Sequence, residues 1–322
     1  MPKRRVQALA TSRRTPAAER RIVEDASDPW IAVAKIHVVA DGRAFAGESG
    51  GFRACAWDAA GTSAWRRTLC EHGTDSRYYE ELGIQLVGDV LLAHGKYKTT
   101  IWMLDAATGT TRGELAIPKA SAFTVSPDGT RLVLRTGTET TVLAFPTLDP
   151  VAVFPEYCNH ATIAISRNGK WLAVNGGEVH VYDLAAAHHV RTFEPPETPW
   201  AMCFTPSHRL VTGDNAACLR LYDPATGKQV AEADAAAERS RKPTITAIAA
   251  SAEHVAAGRE DGTVALFDAK LKLVRLFKKH DTTQPGTAAR SLGDVAFSAD
   301  GTRLWVSAGA KQQPIGLTVY PL

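Results

Sequence analysis

The chain has 322 residues, of which 45% are hydrophobic and 22% charged, with a formal net charge of +3 at pH 7. That is the profile of an ordinary globular protein with ample material for a core. No apolar run approaches the roughly 18 residues of a membrane-spanning helix. The basic N-terminus is followed by no apolar h-region, so no secretory signal is expected. Five scattered cysteines (Cys55, Cys70, Cys158, Cys203, Cys218) with no C-x-x-C argue against a disulfide framework or a zinc finger and fit reduced thiols in a cytoplasm. Residues 1 to 21 hold seven basic side chains against Glu19. The tail alone therefore exceeds the net charge of the whole, and the body is mildly acidic. Such a body is not built to neutralise a phosphate backbone, which leaves nucleic-acid binding resting on the tail.

In chain order, residues 1 to 18 read as a basic tail and residues 19 to 322 as one repeating body. "ERRIVEDA" (19–26) has strand character, with "RRVQALA" (4–10) as the alternative. "IAVAKIHVVA" then leads into "VVADGRAFAG" (38–47), where Asp-Gly sits between two apolar alternations. Asp-Gly or Asn-Gly in that setting signals a hairpin, and a two-residue type I′ turn with positive φ at both central residues is expected. The pattern returns in "VSPDGTRLVL" (125–134), "ISRNGKWLAV" (165–174) and "FSADGTRLWV" (297–306). Weaker copies are "QLVGDVLLAH" (85–94), "FTPSHRLVTG" (204–213) and "AASAEHVAAG" (249–258).

Downstream of these turns, an apolar run closes on an acid and a second extended run follows. The copies are "AWDAAGTSAW" (56–65), "MLDAATGTTR" (103–112), "VYDLAAAHHV" (181–190), "LYDPATGKQV" (221–230) and "LFDAKLKLVR" (266–275). An Asp at a strand end can accept backbone N–H groups two residues on. Asp58, Asp105, Asp183, Asp223, Asp261 and Asp268 are therefore read as turn-fixing acids, with Gly109 and Gly227 supplying positive φ. The units lie about 39 to 48 residues apart, the period of four-stranded propeller blades. The expected fold is all-β: a single seven-bladed β-propeller of four-stranded antiparallel blades. The last unit offers strands a, b and c in "DVAFS", "RLWVSAG" and "GLTVYPL" but no strand d. An N-terminal strand around Arg20–Glu24 is expected to complete it and close the ring, hiding both edges.

With Trp57–Asp58, its degenerate forms, and "GREDGTVALFD" (258–268) carrying Asp261 in the b–c turn, the sequence resembles the WD-repeat β-propeller family over about residues 22 to 322. The family's Gly-His dipeptide is missing. The resemblance implies a rigid disc that docks a protein partner, using the face where d–a and b–c loops emerge.

A search for chemistry yields little. Cys70 with His72, and Cys158 with His160, lack metal-ligand spacing, and no phosphate-binding, nucleophile-elbow or zinc-protease motif is present. No cofactor and no metal is expected. A propeller enzyme, a metal-dependent lactonase-like hydrolase using the central channel, is the alternative class, since its ligands would lie far apart in the chain. The d–a connections are long after units one, five and six (70–84, 234–243, 279–293), and long loops are disproportionately functional. Trp30 and Trp200 each follow a Pro in a loop before a strand a. The candidate partner-binding set is Tyr78, Tyr79, Trp200, Arg239, Arg241, Lys242, Lys279 and Arg290, of the aromatic and basic types that anchor interfaces. The expected protein is a cytoplasmic, monomeric propeller that belongs to a larger complex.

Overall fold

The computed structural model describes residues 20–23, 32–49, 52–69, 82–155, 162–235, 243–277, 293–308 and 316–322. They form seven four-stranded antiparallel sheets, with no helix among them. Blade one is β2 (Ala32–Val38), β3 (Ala44–Ser49), β4 (Arg53–Trp57) and β5 (Ser63–Thr68). Blade two is β6 (Leu82–Val87), β7 (Val90–Gly95), β8 (Thr100–Asp105) and β9 (Thr111–Ala116). Blade three is β10 (Ala122–Val125), β11 (Arg131–Arg135), β12 (Glu139–Ala144) and β13 (Pro150–Pro155). Blade four is β14 (Ile163–Ile165), β15 (Trp171–Asn175), β16 (Val179–Asp183) and β17 (His188–Phe193). Blade five is β18 (Pro199–Phe204), β19 (Leu210–Asp214), β20 (Cys218–Tyr222) and β21 (Gln229–Asp234). Blade six is β22 (Ile245–Ala250), β23 (His254–Arg259), β24 (Val264–Asp268) and β25 (Leu273–Phe277). Blade seven takes β26 (Asp294–Phe297), β27 (Arg303–Ala308) and β28 (Gly316–Pro321) from the C-terminal end and β1 (Arg20–Val23) from the N-terminal end.

Each innermost strand packs against the innermost strands of two neighbours, round to β26 against β2, so the ring is closed. β1 completes blade seven by pairing Arg20 with Val319 and Ile22 with Leu317. The alternative donor at 4–10, Glu24 and Trp30 lie outside the described residues. Closure gives every blade its fourth strand, so the edges that remain are the short outer ones at the rim.

The core is a series of layers between blades rather than one centre. β4, β8, β12 and β20 are largely buried on both faces because each is sandwiched by its own neighbours and by adjacent blades. Trp57 and Trp102 are buried in strand c of blades one and two. Trp57 packs with Trp305, Cys55, Leu317 and Val319 at the seven–one junction. The indole N–H groups of Trp57 and Trp305 are both buried there with no acceptor.

The inner hairpins differ from the expected type. In "SPDG" the N–H of Gly129 bonds to the Ser126 carbonyl at 2.8 Å, and only Gly129 has positive φ (70°). Gly42, Gly169 and Gly301 repeat this, and His208 (φ 64°) takes the same place in blade five. Each is a turn closed by one left-handed residue rather than type I′, with three residues between the paired ends in blades one and five (Val39 with Arg43, Thr205 with Arg209) and four in blades three, four and seven (Ser126 with Arg131, Ser166 with Trp171, Ser298 with Arg303). The reason is local: Asp128 Oδ1 accepts from Ser126 Oγ and from the N–H of Thr130, holding the extra residue in the loop.

The c–d turns are built on acids. Asp105 Oδ1 accepts the N–H groups of Ala107 and Thr108 at 3.0 and 2.8 Å, and Asp223 Oδ1 those of Ala225 and Thr226 at 3.0 and 3.1 Å. Asp268 takes Lys270 and Lys272, Asp183 takes Ala186, Asp58 takes Thr62, and in a b–c turn Asp261 takes Thr263. Beside the Arg112 guanidinium and the Thr108 N–H, the Asp105 carboxyl is held down to about 2.

Candidate interaction surface

In an antiparallel meander, strands b and d end, and strands a and c begin, on one face of the ring. That face carries the b–c and d–a connections. The three longest d–a connections run from 69 to 81, 235 to 244 and 278 to 293, after blades one, five and six. Tyr78, Tyr79, Arg239, Arg241, Lys242, Lys279 and Arg290 fall within them and lie outside the described residues. So do Cys70, His72, Cys158 and His160.

Trp200 is described. It belongs to β18 rather than to a loop before it, and its side chain is 42% exposed. The register explains why a large aromatic in a strand faces outward. Pro199 pairs with Asp214 and Ala201 with Gly213, so Trp200 is an extra residue, a bulge. A bulge re-aims the side chain it carries. The backbone carbonyl of Trp200 accepts the Thr162 hydroxyl of blade four at 3.1 Å, which fixes the bulge.

Two other innermost strands bulge at the same place. Ala34 in blade one and Thr246 in blade six are the extra residues. In all three blades the next pair sets strand a against a glycine of strand b: Lys35 with Gly47, Ala201 with Gly213, and Ala247 with Gly258. A Cβ at Gly47 would lie 2.2 Å from the Leu82 carbonyl oxygen, and one at Gly213 would lie 2.6 Å from Ile245. The glycines let the following blade's innermost strand pack tightly. Blades one, five and six, which precede the long connections, are thus also the blades with a bulged inner strand.

Beneath the face lies a layer of buried polar side chains at the ends of strand b. His94 bridges the carbonyls of Thr100 (3.0 Å) and Ala120 (3.1 Å). Arg135 donates to Thr140 Oγ1 at 3.1 Å. Asn175 donates to the Pro199 carbonyl of the next blade. Asp214 accepts from Ala216 N, Cys218 N and the Arg220 guanidinium. Arg259 donates to the Ala235 carbonyl and to Thr263 Oγ1, while its Nη2 is buried without a hydrogen-bond partner. Burial pulls the Arg259 guanidinium below its ordinary pKa, with Asp261 and Asp234 opposing. The N–H of Asp294 is held by Ser307 Oγ at 2.7 Å. Several of these bonds cross from one blade to the next, so the layer ties the loop face together. Sequence reading missed it. The available signal was one polar residue per repeat just before each b–c turn, hidden because its identity changes from blade to blade.

Among the described residues, no group of three or more His, Cys, Asp or Glu converges in a way that could hold a metal ion. Cys203 and Cys218 are free thiols, and burial pushes both up to about 12, far from a reactive thiolate.

On the opposite face, His188 and His189 are the exposed first residues of β17. His189 packs edge-on against Tyr182 at 5.4 Å, and its Nε2 lies 2.9 Å from Thr192 Oγ1. That hydroxyl also bonds His180 Nδ1 at 3.0 Å. No helix of the described residues is long and apolar enough to cross a membrane. No protein-family model matches this chain, and no curated protein sequence matches it.

Proposed function

We propose that this chain is a non-catalytic interaction scaffold, a divergent WD-repeat propeller that holds another protein on its d–a/b–c loop face as part of a larger complex. The observation that carries the reading is Trp200: a tryptophan 42% exposed on a bulged strand. Aromatics of this kind anchor protein interfaces. It stands at the margin of the sector formed by the long connections of blades five, six and one, whose sequences supply Tyr78, Tyr79, Arg239, Arg241, Lys242, Lys279 and Arg290. A closed ring tied by buried polar bonds gives such a sector a rigid base, and rigidity lowers the entropic cost of docking. The scattered cysteines, with no C-x-x-C, fit a reducing compartment such as the cytoplasm.

The test is partner capture by the full chain from its native cells. Trp200→Ala, Tyr78→Ala with Tyr79→Ala, and Arg239→Glu with Arg241→Glu should each weaken capture of the same protein without lowering the melting temperature. Lys228→Glu, exposed in a c–d turn on the other face, is the control; His189, packed on Tyr182, is unsuitable for that purpose. Capture lost in the control and kept in the loop-face variants would place the surface on the wrong side.

A further inference from the structure

The seven outermost strands form the rim of the ring, and among the described residues nothing pairs with their outer edges. Most are blunted in ways that discourage pairing. β5 carries Arg66 and Arg67, β9 carries Arg112 and Glu114, and β21 carries Glu232 and Asp234. β13 exposes Val151 and Val153 but is bracketed by Pro150 and Pro155, which have no N–H to offer.

β25 is different. Leu273, Val274 and Leu276 are 49%, 54% and 42% exposed, three large apolar side chains on a five-residue strand. The strand is nonetheless fixed. Phe277 is buried, packs with its ring tilted against Tyr320 at 4.3 Å between centroids, and has the Arg275 guanidinium 4.6 Å from its ring centre. At three blade junctions an outer-strand Phe meets the next blade's Tyr: Phe154 with Tyr182, Phe193 with Tyr222, and Phe277 with Tyr320. At the five–six junction the register puts Ala233 in the Phe position, facing Phe267. Leu273 and Leu276 pair with Phe267 and Ala265 and so point to that junction. Among the described residues of β21, the small side chains Ala231 and Ala233 pack into that junction, and Leu273 and Leu276 stay about half exposed.

Charge identifies the occupant. Residues 269 to 280 include Lys270, Lys272, Arg275, Lys278 and Lys279 and no acid. Lys270, Lys272 and Arg275 are exposed. A second copy's β25 would bring like charges together. The acidic edge β21 of a second copy has Glu232 already engaged by Arg220 and Gln229. A lipid surface could meet the lysines but cannot match a row of backbone N–H and C=O groups, which another strand does.

We propose that the outer edge of blade six is a β-augmentation site for an extended acidic segment of a partner protein, with acids alternating with apolar residues so that one set meets the lysines and the other Leu273 and Leu276. This surface is distinct from the loop face and does not depend on it.

The full chain is titrated with a fluorescent peptide of about eight residues alternating Glu and Val, long enough to span one strand. A peptide of the same composition in block order, a Lys/Val alternating peptide and phosphatidylserine vesicles are run in parallel. The alternating acidic peptide should bind, and Lys270→Glu with Lys272→Glu should weaken it by at least about tenfold. Leu273→Ser with Leu276→Ser should also weaken it, with melting temperatures held near that of the parent chain. Trp200→Ala should leave peptide binding intact, which separates this site from the loop-face reading. No binding, equal binding of the block peptide, or binding indifferent to the lysine reversals would overturn the proposal. Vesicle binding without peptide binding would assign the edge to a membrane instead. Self-association seen by light scattering and abolished by the lysine reversals would assign it to a second copy.

Discussion

Asp294 Oδ2 accepts the backbone N–H of Ile36 at 2.9 Å, a bond between residues 258 apart in the chain that joins the innermost strands of blades seven and one. It lies at the inner edge of the blade that β1 completes, with β27 between its strand and the β1–β28 pair. Lys35 Nζ stands 3.8 Å from the other carboxylate oxygen. Burial raises the Asp294 pKa above its ordinary 3.8, with Lys35 and the Ile36 N–H opposing. The folded state therefore binds this proton more tightly than the unfolded chain does. The ionised side chain weighs against the fold at neutral pH, and the penalty fades as pH falls through the raised value. Asp294→Ala leaves the Ile36 N–H unpaired and should cost about 1–3 kcal/mol. Asp294→Asn keeps an acceptor without the charge. Its melting temperature relative to the parent should be higher at pH 7 than at pH 4, as measured by calorimetry at both pH values.

Closure by β1 makes a second prediction. Deleting residues 1 to 26 removes the strand that pairs with Leu317–Val319. It should lower the melting temperature by several degrees and promote aggregation, because the edge of β28 is then open. Deleting 1 to 17 should leave stability nearly unchanged; light scattering during a thermal ramp compares the two. Damage from the shorter deletion would mean that residues before 18 help to close the ring.

The glycines beneath the bulged strands are predicted to be intolerant. Gly47→Ala would drive a methyl group into the Leu82 carbonyl, where backbone must move. A loss of about 1–3 kcal/mol is expected in urea unfolding, the range for overpacking. Gly137→Ala, where nothing lies within 4 Å, should be neutral or slightly stabilising.

His180 gives a pH dependence of the opposite sense to Asp294. Burial lowers its pKa below 6.5, with His189 and Arg135 adding to the effect. Protonation then favours the unfolded chain, so the stability is full above pH 6.5 and is lost as pH falls below it through the depressed folded value. Urea midpoints between pH 5 and 8 should show this slope, and His180→Asn should flatten it. An unchanged slope in the variant would show that the titration resides elsewhere.

Much of this architecture was legible in the sequence because it rests on short-range chemistry. The Asp at the end of strand c and the Gly four residues on in blades two and five act on their own turn, as Asp105 with Gly109 and Asp223 with Gly227 show. The strands of the last unit, "DVAFS", "RLWVSAG" and "GLTVYPL", fall within a residue or two of β26, β27 and β28. The hairpin type was misread because the Asp128 side chain, not the Asp-Gly pair alone, sets the loop. The bulge that turns Trp200 outward was illegible, since it depends on Gly213 yielding space to Ile245 of the next blade. The buried layer of His94, Arg135, Asn175, Asp214 and Arg259 was hidden for the same reason. Its partners lie in neighbouring strands and blades, and no single repeat contains the whole bond.

The most direct measurement is photo-crosslinking in intact cells with a photoreactive phenylalanine analogue placed at position 200 and, separately, at position 228. An interaction scaffold working through its loop face should give a discrete protein adduct from position 200 and none from position 228. An adduct from position 228 with none from position 200 would contradict the account.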